Sequence, residues 1–193
     1  MSNPSYPRVK VDVSFSGNDE IADLVLKFEA CTWPYEHWTH RAHLAVGLSY
    51  LCALPFDEAH ARIRQQNQKY NQLCGDPNGY HETITVLFLR KIAAALARKH
   101  SLPLHRLTPE LVDQCAMDWI YRYYSRSRIW SPEAQRAWVE PMLSRSILTA
   151  ERISLLTISA RKRSSANCFA LDHNLLASVP QVKQLDNHGL ESC

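Results

Sequence analysis

The stretch HETITVLFLRKIAAALARKH, residues 81–100, decides the fold class. Its apolar residues Ile84, Leu87, Phe88, Ile92 and Leu96 recur three or four positions apart, the period of one helical face. A helix from about His81 to His100 follows. Upstream, Gly75-Asp76-Pro77-Asn78-Gly79 is a loop by composition. Before it, Asp57 can cap a helix covering Glu58 to about Cys74, which Gly75 would terminate. Another helix begins near Thr39 and runs to Leu54, ahead of Pro55. The first one starts at Asp19, carries Ile21, Leu24, Val25 and Phe28 on one stripe, and stops near Thr32-Trp33-Pro34. The stop follows because a residue preceding proline is pushed out of the α region.

Downstream, Thr108-Pro109-Glu110 reads as a helix start: a capping hydroxyl, proline at the first helical position, then a carboxylate. That fifth helix would run through Leu111, Cys115, Trp119 and Ile120 to Tyr124. Ser131-Pro132-Glu133 repeats the signal for a sixth, with Ala137 and Trp138 on its apolar face. Residues 1–17 read as an extended arm, although the alternation Val9, Val11, Val13 also suits a short strand. After about Ile158 the chain turns polar, and 160–193 reads as a disordered tail with at most a short amphipathic turn at Leu171–Val179. The expected architecture is all-α: an arm (1–17), one domain of five or six helices (18–159) and a tail.

Composition agrees. At 46% apolar and 21% charged, the 193 residues suit one globular domain with a real core. Only five glycines disfavour a turn-rich β sandwich. The formal charge of +3 owes much to Arg161-Lys162-Arg163, so no basic face marks the folded part and nucleic acid is not an expected partner. Apolar runs such as Ile92–Ala97 are far too short to span a bilayer. The cysteines at 31, 52, 74, 115, 168 and 193 form no C-x-x-C pair, and the N-terminus lacks a signal-peptide pattern. Reduced thiols in the cytoplasm are the expectation.

The chemistry concentrates in Glu36-His37-Trp38-Thr39-His40-Arg41-Ala42-His43-Leu44. His40 and His43 lie three apart, so both project from one helical face, and two such imidazoles can chelate a first-row metal. Gly47 lies one turn further along that face, where it would admit a neighbouring helix or a ligand. The best remaining donors are His81 and Glu82, in Gly79-Tyr80-His81-Glu82-Thr83-Ile84-Thr85, which follows a loop and opens a helix. Two histidines with a carboxylate suit non-haem iron, whereas three histidines suit zinc with an open position. With His81 as a ligand, Glu82 becomes a general base or an orienting partner. Plainer explanations stand beside these. A Glu at a helix N-terminus answers the dipole, and early Thr hydroxyls bond backbone carbonyls. Trp119, Tyr121, Tyr123 and Tyr124 suit core and rim better than a pocket wall. His60, His100, His105, His173 and His188 fall in charged or tail segments and read as solvated.

The W-T-H-x-x-H-L element at Trp38–Leu44 and the G-Y-H-E-T-I-T element at Gly79–Thr85 resemble a group of uncharacterised bacterial proteins that pairs these two motifs. Tyr70-Asn71 and the segment Ser131 to Pro141 extend the likeness, which covers about residues 20 to 145. The resemblance implies that His40, His43, His81 and Glu82 belong together, and adds Tyr70, Asn71, Tyr80, Thr83 and Thr85 as pocket residues. Where the group carries an aspartate after the late proline, this chain has Met142.

The leading expectation is a small metalloprotein holding one divalent ion, iron or zinc, through His40, His43 and His81. Glu82 and Tyr80 would serve catalysis, while Tyr70, Asn71, Thr83 and Thr85 would bind substrate. Such a centre would hydrolyse by activating water, or activate oxygen. The alternatives are a metal-free module whose histidines hydrogen-bond a polar small molecule, and a structural protein whose histidines form a satisfied polar network. The expected partner is a small ligand or substrate, with neither nucleic acid nor membrane; a homo-oligomer is left open.

Overall fold

The computed structural model describes residues 9–99, 101–116 and 118–142. Among them the chain forms α1 (Asn18–Glu29), α2 (His40–Ala53), α3 (Phe56–Cys74), α4 (Glu82–Arg98), α5 (Leu104–Gln114), α6 (Arg126–Ile129) and α7 (Pro132–Arg136), with 3-10 turns at Tyr35–His37 and Trp119–Arg122. No strand occurs among these residues, so the fold is the expected all-α bundle. The reading of 160–193, and of Arg161-Lys162-Arg163 within it, lies outside the described residues.

Helix α2 is the axis of the molecule. Ala42 and every residue from Leu44 to Leu51 are buried, the signature of a helix packed on all sides. It meets α1, α3, α4 and α5. At Gly47 a Cβ would stand 2.7 Å from the Ile92 side chain, so the missing side chain lets α4 close on α2. Phe28 stacks on Trp38 with ring centroids 4.4 Å apart, and Tyr70 sits 5.3 Å from Trp38 in the same core. A half-buried polar knot ties three helices together: the Tyr50 hydroxyl and Arg62 Nε both donate to Glu29 Oε1, the latter at 2.8 Å.

Helix α1 ends before Pro34 can act. Cys31 adopts φ 56°. The Cys31 and Thr32 amides bond back to the carbonyls of Phe28 and Lys27 at 3.0 and 2.8 Å. These two bonds are the Schellman pair, and they satisfy the terminal carbonyls without glycine. The start of α3 at Phe56 is set by Pro55, which puts Asp57 and Glu58 inside the first turn rather than at the cap.

Helix α5 departs most from the reading of its sequence. Thr108-Pro109-Glu110 lies inside it: the helix starts at Leu104 behind Pro103, and Asn18 Oδ1 from α1 accepts the His105 amide at 3.1 Å. Thr108 turns its hydroxyl back to the Leu104 carbonyl at 2.8 Å. The helix also ends at Gln114, short of Tyr124, and Trp119–Arg122 form a 3-10 turn. Trp119, Tyr123 and Tyr124 are buried core, as expected. The Ser131 start is as expected, with Ser131 Oγ accepting the Ala134 amide at 3.1 Å. Its helix α7 is short, however, and leaves Ala137 and Trp138 beyond its end.

The arm runs extended across the start of α2. Val11 donates its amide to the Glu36 carbonyl at 2.8 Å, and His37 Nδ1 donates to the Val11 carbonyl at 3.1 Å. Asp12 accepts from Thr39 Oγ1 at 2.8 Å and from Arg41 Nε at 2.7 Å. Cys31, Cys74 and Cys115 are free thiols, but Cys52 is disulfide-bonded, which corrects the expectation of uniformly reduced cysteines. No helix among the described residues is long and apolar enough to cross a membrane.

Candidate functional site

A cavity of about 520 Å³ lies between α2, α3 and α4, beside the loop that leads into α4. That size suits a small organic molecule. Its walls are mostly apolar, from Leu44, Val46, Ile63, Ile84, Phe88, Leu89 and Ile92. His40, His43, Asn67, Asn71, Tyr80, His81 and Thr85 supply polar groups, Lys10 reaches in from the arm, and Trp38 and Trp130 complete the lining.

His43 lines this space from α2. Its side chain is exposed, yet it lines the cavity, so the ring is open to the cavity while surrounded by protein. Burial, reinforced by the positive charge of Lys10 and by His40, pushes its pKa down to about 3. Near neutral pH the ring is therefore uncharged, with one N–H donor and one acceptor nitrogen. It packs 4.0 Å from the Trp38 ring. Among the described residues neither of its nitrogens has a hydrogen-bond partner.

His40 stands one turn earlier on the same wall. Its Nε2 lies 2.7 Å from the Cys115 carbonyl. A carbonyl can only accept, so Nε2 carries the proton and Nδ1 keeps the lone pair. Burial holds this imidazole below its ordinary pKa, against the opposing pull of the Cys115 carbonyl.

His81 lines the cavity with its ring bonded on both sides. Nε2 donates to the Ile129 carbonyl at 2.8 Å, and Nδ1 accepts the Ile84 amide at 3.4 Å, making His81 the N-cap of α4. Trp130 packs edge-on against it at 5.7 Å. The three imidazoles therefore do not converge as a ligand set. Among the described residues no group of three or more His, Cys, Asp or Glu side chains is arranged to hold a metal ion.

Glu82 is 3% exposed and faces away from the cavity. Its carboxylate takes a fork of bonds from Arg64, with Nε at 3.0 Å, and the Tyr80 hydroxyl at 2.6 Å. His60 Nε2 stands 3.0 Å away, which corrects the reading of His60 as a solvated bystander. Burial alone would raise the Glu82 pKa, but Arg64, Tyr80 and His60 together hold it below the usual carboxylate range. Tyr80 thus offers the cavity its ring, while its hydroxyl is committed to Glu82. Burial and this carboxylate both raise the phenol pKa.

The other expected pocket residues divide. Asn71 lines the cavity and is 8% exposed. Thr85 lines it too, though its hydroxyl returns to the His81 carbonyl at 2.9 Å. Thr83 is fully buried outside the cavity, bridging the Ala137 carbonyl at 2.7 Å and the Val139 amide at 3.2 Å. Tyr70 belongs to the core, where its hydroxyl donates to the Trp33 carbonyl at 2.7 Å. Asn67 was not singled out by its sequence. It is 7% exposed, lines the cavity, and has no hydrogen-bond partner for Oδ1. Its signal was there to find: Gln66, Asn67, Tyr70 and Asn71 are a polar stripe at helical spacing, and all are buried.

Fold and site together define an all-α bundle with a ligand-sized cavity on one wall of its central helix. No known protein family, curated protein or solved structure matches the chain.

Proposed function

We propose that this is a small-molecule binding protein whose ligand fills the cavity between α2, α3 and α4, with His43 as its polar anchor. One observation carries the reading: a neutral imidazole, with no hydrogen-bond partner among the described residues, opens onto a mostly apolar cavity. The ring stands open to this space, where a ligand group can pair with its N–H or its free ring nitrogen. The unpartnered Oδ1 of Asn67 points the same way. Three free thiols suit a reducing, cytoplasmic setting, against which the disulfide of Cys52 weighs.

Trp38 beside His43 serves as one reporter. Titration with the amphipathic dye 1-anilinonaphthalene-8-sulfonate should quench tryptophan fluorescence saturably, since Trp38 and Trp130 both line the cavity, and His43→Phe, which removes the polar anchor, should abolish this while the protein stays folded. Equal dye binding by His43→Phe would put the dye, and the proposal, elsewhere.

A divalent ion, iron or zinc, held by His40 and His43 is the second reading. It is favoured by two imidazoles one turn apart on the cavity wall. Exhaustive chelation separates the two: a metal-free binding module keeps its ligand affinity, whereas a metalloprotein loses it.

A further inference from the structure

Among the described residues the charged side chain lining the cavity is Lys10, and the basic nitrogens beside it belong to neutral imidazoles. Lys10, His40, His43 and His81 face it, and among the described residues no Asp or Glu lines it. Lys10 reaches in from the arm, its ammonium donating to the Tyr35 carbonyl at 2.6 Å and standing 3.2 Å over the Tyr35 ring. Its charge is felt at His43. Asp12, the acid whose charge reaches His40, is occupied by Thr39 and Arg41. The first turn of α2, which carries His40 and His43, adds the positive end of a helix dipole. Away from this corner the walls are hydrocarbon, chiefly Ile63, Ile84, Phe88, Leu89 and Ile92.

A basic corner opening into an apolar chamber selects an anion with a hydrocarbon body. We infer that the ligand is an amphipathic organic acid, its carboxylate held by Lys10 and the N–H of His43 and its apolar body lying against α3 and α4. This rests on the cavity being a ligand site and adds the charge and shape of what enters. The assignment discriminates sharply. An alcohol of the same length keeps the apolar contacts and loses the ionic one, while an amine of the same length meets Lys10 with like charge.

Three eight-carbon probes make the test: octanoate, octan-1-ol and octylamine, titrated calorimetrically at pH 7 and low salt. Octanoate should bind roughly tenfold or more tighter than octan-1-ol, the scale of one charge-assisted hydrogen bond. Octylamine should bind weakest. In Lys10→Met and in His43→Gln, with folding checked by thermal melting, the ratio of octanoate to octan-1-ol affinity should collapse toward one. Octan-1-ol binding as tightly as octanoate would overturn the inference while leaving the cavity a ligand site. An octanoate preference that survives both substitutions would overturn the assignment of the anion to Lys10 and His43. Failure of all three probes to bind would take the proposed function down with it.

Discussion

His81 Nε2 donates to the Ile129 carbonyl at 2.8 Å, and this single contact fastens the start of α4 to the end of α6. The same ring caps α4 through Nδ1, so one neutral tautomer satisfies two backbone groups at once. Losing an N-cap costs about 1 kcal/mol, and leaving a carbonyl unpaired adds a cost of about the same size. His81→Ala should therefore lower the unfolding free energy by about 2 kcal/mol in urea titrations. An unchanged midpoint and slope would mean that the clamp contributes nothing.

Glu82 supports the neighbouring joint between α3 and α4. Its folded pKa lies below the ordinary value of about 4.3. A carboxylate of this kind adds stability that is fully present above the unfolded pKa and is lost as pH falls through the folded one. The native protein should thus lose stability on acidification below about pH 4.3, and Glu82→Gln should flatten that loss. At neutral pH the same substitution should cost about 2 kcal/mol, below the ~3–5 of a fully buried pair, because Arg64 is half exposed. Chemical denaturation at pH 7 and pH 4 measures both effects.

The fold was legible because its signals are local: helical apolar spacing along 81–100, the proline at 55, and the Ser131 cap act within a few residues. Helix α5 was misread for the opposite reason. Thr108-Pro109 is a sound start signal in isolation, but Asn18, from a helix far away in sequence, caps the chain at His105 first. The site divides along the same line. His40 and His43 share a wall because helical geometry requires it, and Asn71 reaches the same cavity from α3. His81 and Glu82 face different surroundings because His81, with extended backbone, caps α4 while Glu82 is its first helical residue. Which of them met the cavity depended on where α6 and Arg64 came to rest, and neighbours of that kind leave no trace in local spacing. Asn67 and Lys10 were passed over because their part is defined only once α3 and the arm have docked.

His43 makes a pH prediction of its own. Its folded pKa of about 3 lies well below the unfolded value. Below about pH 6.5, where free imidazole takes a proton, the unfolded chain binds one that the folded chain refuses. Stability must then fall as pH drops from about 6.5 toward 3, the region in which the unfolded state holds the extra proton. His40 and His81 are also depressed, so the slope has three sources. His43→Leu should remove one of them and leave a shallower slope between pH 6.5 and 4. An identical slope in the variant would show that water in the cavity solvates the imidazolium.

The arm gives the last prediction. Asp12 is its anchor, since both of its carboxylate oxygens bond residues that flank His40. Burial raises the Asp12 pKa, but Arg41 and Thr39 outweigh it and hold the carboxyl below its usual range. Exposed ion pairs of this sort contribute under about 1 kcal/mol, so Asp12→Ala should scarcely move the global unfolding midpoint. Locally the effect should be large. Freed from Thr39 and Arg41, the arm would lose the placement that brings Lys10 over the cavity. Amide hydrogen exchange at Val11, whose N–H is held by the Glu36 carbonyl, should accelerate up to roughly fivefold, the scale of ~1 kcal/mol of local opening. Dissociation of any cavity ligand should quicken in step. Faster exchange with unchanged dissociation would mean that the arm covers α2 without closing the cavity. Unchanged exchange would mean that the bonds of Val11 to the Glu36 carbonyl and the His37 ring hold the arm without help from Asp12.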